Sequence, residues 1–448
     1  MTRAQAGVFA AFLLLGLGRA APSLSWPMVY DDLHLVRPYT EEERLGAWHG
    51  NWDPDGIETA GFRPASLLFN DLRARLFGEA VAAHRVFLIV LYALYVTLLL
   101  PLAAHFGAGA PTVLLAGAVM LAARYGVYHY VWITDGNHIA QGLAFAGGAL
   151  LLLSGLDRPS VTRLGLSLAC LAAGLLVRED TLAVVPVILL LGYLHARPLG
   201  QKALAALRTY TGVVVLFCLV LLAYRSQVVP KAPPLGTDVR SLVLAVAHAL
   251  NPVGLEAFGP GSRLLSLAAW VVPAGLAAAL VRFRSEVDWR GPALWLLCAV
   301  VACAPALNIQ RDNLLFFPGT FVALFYATAV AALAHRKGIL RLLAATGLAG
   351  VLAAATYMGT IFAENFHPDS TRALWWNTQL VYGEFAARAT IPAARRQAVM
   401  ERLARVGIRQ GEHPRHRLRE LAGEARAQGR RRPSAEGVVF VPLLPEPF

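Results

Sequence analysis

Eleven apolar stretches recur along this chain, near 7–28, 85–105, 111–131, 138–155, 162–177, 181–195, 209–224, 263–281, 291–308, 314–334 and 339–358. A helix of roughly 17–25 apolar residues crosses a bilayer. Inside lipid a chain must satisfy its own backbone polar groups, so long apolar runs without period-two alternation predict helices. The expected fold class is an all-α polytopic membrane protein, a bundle of about eleven transmembrane helices at those lengths. Composition agrees: the chain is 57% hydrophobic and 15% charged, against about 25% charged in soluble domains.

The formal net charge of +12 is a topology signal. With Thr2 and Arg3 on the cytoplasmic side, the inner loops hold Arg158 and Arg163, then Arg197, Lys202 and Arg208, then Arg282, Arg284 and Arg290, then Arg336, Lys337 and Arg341. That is the positive-inside pattern, and it argues against a nucleic-acid partner. The expected location is the inner (plasma) membrane, crossed many times, with the lipid bilayer as the main surrounding. The same assignment places Asp31-Asp32, the Asp135 loop, the Arg178-Glu179-Asp180 turn and Arg311-Asp312 outside. A cleaved signal peptide is the alternative reading of the first stretch, with "GRAAPS" as a poor cleavage region; it also leaves the acidic pair outside. All four cysteines fall in predicted helices, which excludes an external disulfide framework or a cysteine metal site.

Residues 1–359 read as one membrane domain and 360–448 as a small basic tail. The first outer loop, 28–84, contains an amphipathic pattern over 63–77: Pro64 suits the first helical position, Leu68, Leu72 and Leu76 repeat every four residues, Arg73 and Arg75 lie on the polar side, and Gly78 ends it. Such a helix lies in the interface plane. A second long connection, 225–262, holds "VVPKAPPLGTD" and a short apolar segment too short to span.

Three groups carry chemical potential. Asp31-Asp32 stands directly after the first span; it reads either as a solvated loop start or as a partly desolvated general base. Arg63, Arg124, Arg178 and Arg311 form an outer basic group able to hold a phosphate, although snorkelling accounts for any single one. Arg124 sits inside an apolar and aromatic run, where an ionisable group is a functional hypothesis by default. "WITDGNHIAQG" and "VRED" add Asp135, Asn137, His138, Glu179 and Asp180. Helix capping by Asp135 or Asn137 is the preferred reading there, with Glu179 and Asp180 pairing to Arg178. The twelve histidines are scattered, and His84, His105 and His335 sit at predicted membrane borders. No P-loop, dinucleotide fingerprint, nucleophile elbow or HExxH motif is present.

"DDLHL" followed by "FRPASLLFNDLRARLFGEAVAAHRV", and then "VWITDGNHIAQGLAF", "VREDTLAVVPVILLL" and "RDNLLFFPGTFVAL", occur in an order that resembles the GT-C superfamily of membrane glycosyltransferases. The likeness is to the transmembrane O-mannosyltransferases that carry tetratricopeptide repeats and to bacterial relatives, and it runs from about Asp31 to about Leu324. Arg178 stands where a lysine is usual, Asn313 where an aromatic is usual, and the repeats are absent. The resemblance implies a GT-C-type bundle and an inverting transfer of a sugar from a polyprenyl-phosphate donor to a hydroxyl acceptor (protein, glycan or lipid) outside the cytoplasm. It makes Asp31 the base and Asp32 its neighbour and tuner. Arg63, His84, Arg124, Asp135, His138, Arg178, Glu179 and Arg311 become candidate substrate ligands. The motifs fix no cofactor, and assistance by a divalent cation stays open. The rival readings are a transporter or flippase for a lipid-linked or anionic substrate, and a non-catalytic assembly factor.

Overall fold

A computed structural model describes residues 2–28, 31–55, 61–229, 239–251, 270–285, 288–307, 315–334 and 338–364, with a few positions after 392. Arg311, Asn313, most of the second long connection and nearly all of the basic tail lie outside the described residues. Every regular element among the described residues is helical. In chain order the α-helices are α1 (Arg3–Ala20), α2 (Asp32–Leu35), α3 (Glu41–His49), α4 (Pro64–Phe77), α5 (Val81–Ala104), α6 (Ala110–Ala122), α7 (Arg124–Val131), α8 (Asn137–Asp157), α9 (Val161–Val177), α10 (Val185–Leu199), α11 (Gln201–Val228), α12 (Val239–Leu250), α13 (Val271–Arg282), α14 (Arg290–Ala302), α15 (Phe316–Ala334) and α16 (Ile339–Glu364).

Six helical segments are long and apolar enough to cross a membrane: Arg3–Ser23, Val81–Ala104, Thr134–Asp157, Glu179–Leu199, Gln201–Val228 and Phe316–Ala334. Four shorter apolar helices, α6, α9, α13 and α14, occupy further predicted stretches. The stretch expected to run unbroken over 111–131 is divided. Ala123, at φ −69° and ψ 148°, ends α6 and begins α7. No proline marks that break in the sequence.

α15 is apolar on every side and almost wholly buried, as a helix at the centre of a bundle must be. It packs against α6, α14 and α16, while α8 packs against α5 and α9, and α1 against α5 and α6. Close approach depends on glycine. A Cβ on Gly142 of α8 would stand 2.8 Å from the Phe316 ring and 3.1 Å from that of Tyr95, so α8 meets α5 and α15 there because no side chain intervenes. On the outside, Leu216, Leu219 and Val220 of α11 are exposed, an apolar face suited to lipid.

The first long loop is a folded layer over one end of this bundle. Thr40 and Glu43 form a reciprocal capping box at the start of α3 (3.2 and 2.9 Å). Leu35, Tyr39, Ala47, Trp52 and Leu67 make a small core of their own. Asp71 ties the layer together, accepting from the Tyr39 backbone amide at 2.7 Å and pairing with Arg75 at 2.9 Å. The α4 helix covers 64–77 as expected, with Leu68, Leu72 and Leu76 exposed. Its polar side is solvated only in part, at Arg75. Ser66, Asn70, Asp71 and Arg73 are buried; Ser66 donates to the Val177 carbonyl at 2.6 Å and Arg73 to the Ile133 carbonyl, while Asp71 faces the first loop. The helix thus turns its leucines outward and most of its polar groups inward.

Candidate functional site

The bend that follows α7 sets up the site. After Val131 the chain runs in extended conformation at Trp132, and the Val131 carbonyl and the Ile133 and Thr134 amides meet side-chain partners. Buried peptide groups must be satisfied, and here three charged side chains do it. The Asp32 carboxylate accepts from the amides of Thr134 (2.7 Å) and Ile133 (3.2 Å). Arg73 donates to the Ile133 carbonyl at 2.7 Å, and Arg85 to the Val131 carbonyl at 3.1 Å. Arg85 also holds the end of the first span, donating to the carbonyls of Ser23, Trp26 (2.5 Å) and Pro27 (3.2 Å). Both guanidiniums are fully buried. Burial lowers Arg73 to about 10, still charged at neutral pH. Burial raises the Asp32 carboxyl above its ordinary range, opposed by the two amides and the Arg85 charge.

The two carboxylates of the acidic pair are thus differently placed. Asp32, 0% exposed, is committed to the 133–134 amides. Asp31, 8% exposed, precedes α2, and its backbone carbonyl accepts from His34 and Leu35. Beyond it, His34 faces Asp53 at 3.5 Å and Arg37 grips Glu43 at 2.6 Å. Asp55 is driven up to about 7, by burial first and then by Asp53.

Behind the bend lies a second charged group. Asp135 meets His129 at 3.0 Å and His138 at 3.5 Å. His138 contacts Gln141 at 3.0 Å and lies 3.9 Å from Asp180, which pairs with Arg178 at 3.4 Å. The ring of Phe316, from the "RDNLLFFPG" stretch, packs edge-on to His129 with centroids 4.6 Å apart. The expectation that Asp135 or Asn137 caps α8 is not met: no side-chain capping bond forms at that helix start, because the Asp135 carboxylate is turned to the two imidazoles.

Glu179 departs from the expected pairing with Arg178. It accepts from the Phe62 amide (2.5 Å) and from Arg225 (2.6 Å), and lies 3.7 Å from Arg63. The hairpin turn therefore sends Asp180 inward to His138 and Glu179 outward to the first loop and α11. Of the four predicted arginines, Arg63 and Arg178 join this one turn through its two carboxylates. The backbone of Arg124 opens α7, and Arg311 lies outside the described residues. His84 stands apart, with its Nε2 against the Gly78 carbonyl at 3.0 Å and its ring against Phe77, where it holds the α4–α5 turn.

Asp31, Asp32, Asp135, His138, Arg178 and Glu179 accordingly converge on one end of the bundle. No protein-family model, curated protein or solved structure matches the chain. Arg73, Arg85, His129 and Arg225 belong to the site although no motif singled them out for it, and Asp180, expected only to pair with Arg178, also faces His138. Arg85 carried a usable signal, as a charge five residues into a 24-residue apolar helix.

Proposed function

We propose that this chain is an integral-membrane glycosyltransferase of the GT-C type, with about eleven membrane crossings by the length of its apolar stretches. In this reading it transfers a sugar, with inversion, from a polyprenyl-phosphate donor to a hydroxyl acceptor on the extracytoplasmic side. Asp31 takes the proton of the acceptor hydroxyl as its oxygen attacks the anomeric carbon. The bond from that carbon to the phosphate oxygen breaks, and polyprenyl phosphate leaves with the electron pair. Arg124 and Arg311 are assigned to the departing phosphate, whose growing charge a guanidinium stabilises. Asp135 and His138 face the sugar. A divalent cation assisting the phosphate stays open.

One observation carries the reading. A nearly buried carboxylate, Asp31, sits at one end of an apolar bundle, beside a partner fixed by backbone amides. A donor with a lipid tail and a polar reacting carbon needs that combination of an apolar holding surface and a base at its edge. The test uses purified protein in liposomes with a panel of labelled polyprenyl-phosphate sugars and a hydroxyl-bearing acceptor extract. Release of polyprenyl phosphate together with labelled acceptor supports transfer. Movement of intact donor across the bilayer without cleavage selects the transporter or flippase instead.

A further inference from the structure

At the opposite end of the bundle, three helices bring together side chains that the site above does not use. His105 follows α5, Asp157 is the last residue of α8, and His195 lies in the final turns of α10. One ring nitrogen from each histidine and one carboxylate oxygen lie within 4.8 Å of one another. The 21 residues of α8, at about 1.5 Å each, separate this group from Asp135 and His138 by about the thickness of a membrane.

We propose that His105, Asp157 and His195 bind a divalent transition-metal ion of the zinc class, fastening the ends of three spans. The protonation pattern favours it. The His105 Nδ1 lies 2.7 Å from the Pro101 carbonyl; a carbonyl only accepts, so Nδ1 carries the hydrogen and Nε2 keeps its lone pair. A ligating histidine is ordinarily fixed in this way, through its other nitrogen. His195 Nε2 is already 2.8 Å from the Asp157 carboxylate, and the two imidazole rings stand edge to face with centroids 5.1 Å apart.

An ion pair accounts for His195 and Asp157 but gives no reason for a second imidazole against the first. Ligands about 2.0–2.2 Å from a tetrahedral ion lie roughly 3.3–3.6 Å apart. The present spacing closes to that by rotation of the exposed His105 and Asp157 side chains toward the largely covered His195. Two imidazoles and one carboxylate suit zinc, cobalt or nickel, whereas calcium and magnesium require more oxygen ligands than this group supplies. A fourth position is left for water. Arg158, Arg163 and Arg197 are close in sequence and oppose a cation, but Arg163 is turned away to Ser154 (2.9 and 3.0 Å).

The experiment titrates the full-length, detergent-purified protein, with any affinity tag removed, with cobalt(II) chloride alone and follows visible absorption. The expected result is a four-coordinate d–d spectrum that saturates at about one equivalent, as for a single tetrahedral site, and is displaced by zinc. His105→Ala and His195→Ala each abolish the spectrum, and Asp157→Asn weakens binding by more than about tenfold, the scale for losing one fixed ligand interaction. His105 is exposed and its ring bonds only within its own helix end, so His105→Ala keeps the fold, which circular dichroism and size exclusion verify. Absence of a saturable one-equivalent spectrum overturns the proposal. So does an unchanged titration in the His105→Ala, His195→Ala double variant.

Discussion

The Asp32 carboxylate accepts the Thr134 backbone amide at 2.7 Å across about a hundred residues of chain, fixing the first long loop to the bend that precedes α8. Its neighbour Asp31 makes neither of the two amide bonds that engage Asp32. Adjacent in sequence, the two carboxylates are differently engaged, and under the proposed transfer reaction substitutions at them should separate folding from turnover.

Asp32→Ala leaves the amides of Ile133 and Thr134 without their acceptor. A buried unsatisfied group costs about 1–3 kcal/mol, so the variant should lose about that much stability or more. Thermal unfolding in detergent would show a lowered midpoint and reduced yield. Asp31→Asn, by contrast, leaves both Asp32 bonds in place and should cost less stability than Asp32→Ala. Equal destabilisation by the two changes would remove the distinction.

Arg85 donates to carbonyls of the first span and of the bend alike. Arg85→Leu should therefore uncouple two segments distant in sequence, by about 3–5 kcal/mol as for breaking a buried charged network. Arg85→Lys, a point charge without the planar fork, recovers only part. Limited proteolysis around residues 24–31 is the readout, and wild-type resistance in Arg85→Leu would contradict the network.

Much of this architecture was legible in advance and some was not. The apolar stretches located the helices because lipid leaves the backbone few alternatives. Pro64 and Gly78 bracketed α4 because each suits its end of a helix. The break at Ala123 was invisible because no proline accompanies it, and the bend after α7 is held by Asp32, Arg73 and Arg85, which come from elsewhere in the chain. Arg73 looked solvent-facing for the same reason, since a leucine stripe on an interfacial helix does not say which side meets protein. Glu179 and Asp180 divide between Arg225 and His138, a choice set by packing that no local pattern encodes.

Glu179 and Arg225 join the α9–α10 turn to the end of α11 at 2.6 Å. A double-mutant cycle with Glu179→Ala and Arg225→Ala should return a coupling energy of about 0.5–3 kcal/mol, the range for residues in contact. Additive losses would mean that the pair carries no interaction.

The Asp55 carboxyl titrates near 7 in the folded protein, against about 3.9 when unfolded. Between those values the folded chain holds a proton that the unfolded chain lacks. Stability of the first-loop layer therefore falls as pH rises from about 4 to about 7 and then levels off. The groups facing Asp55 are Asp53, Arg37, His34 and Glu43. Hydrogen exchange across 41–55, measured against pH, should show this fall in wild type and a flatter profile in Asp55→Asn. An identical slope in the variant would assign the titration to another group.

The most direct test of the account is the transfer rate of Asp31→Asn in liposomes with the donor sugar that wild type uses. The substitution preserves shape and removes the basic oxygen, and loss of a general base lowers rate by about 10²–10⁴. A loss of that size is expected in a protein that still folds and still retains the lipid donor. A wild-type rate in a folded Asp31→Asn protein would contradict it.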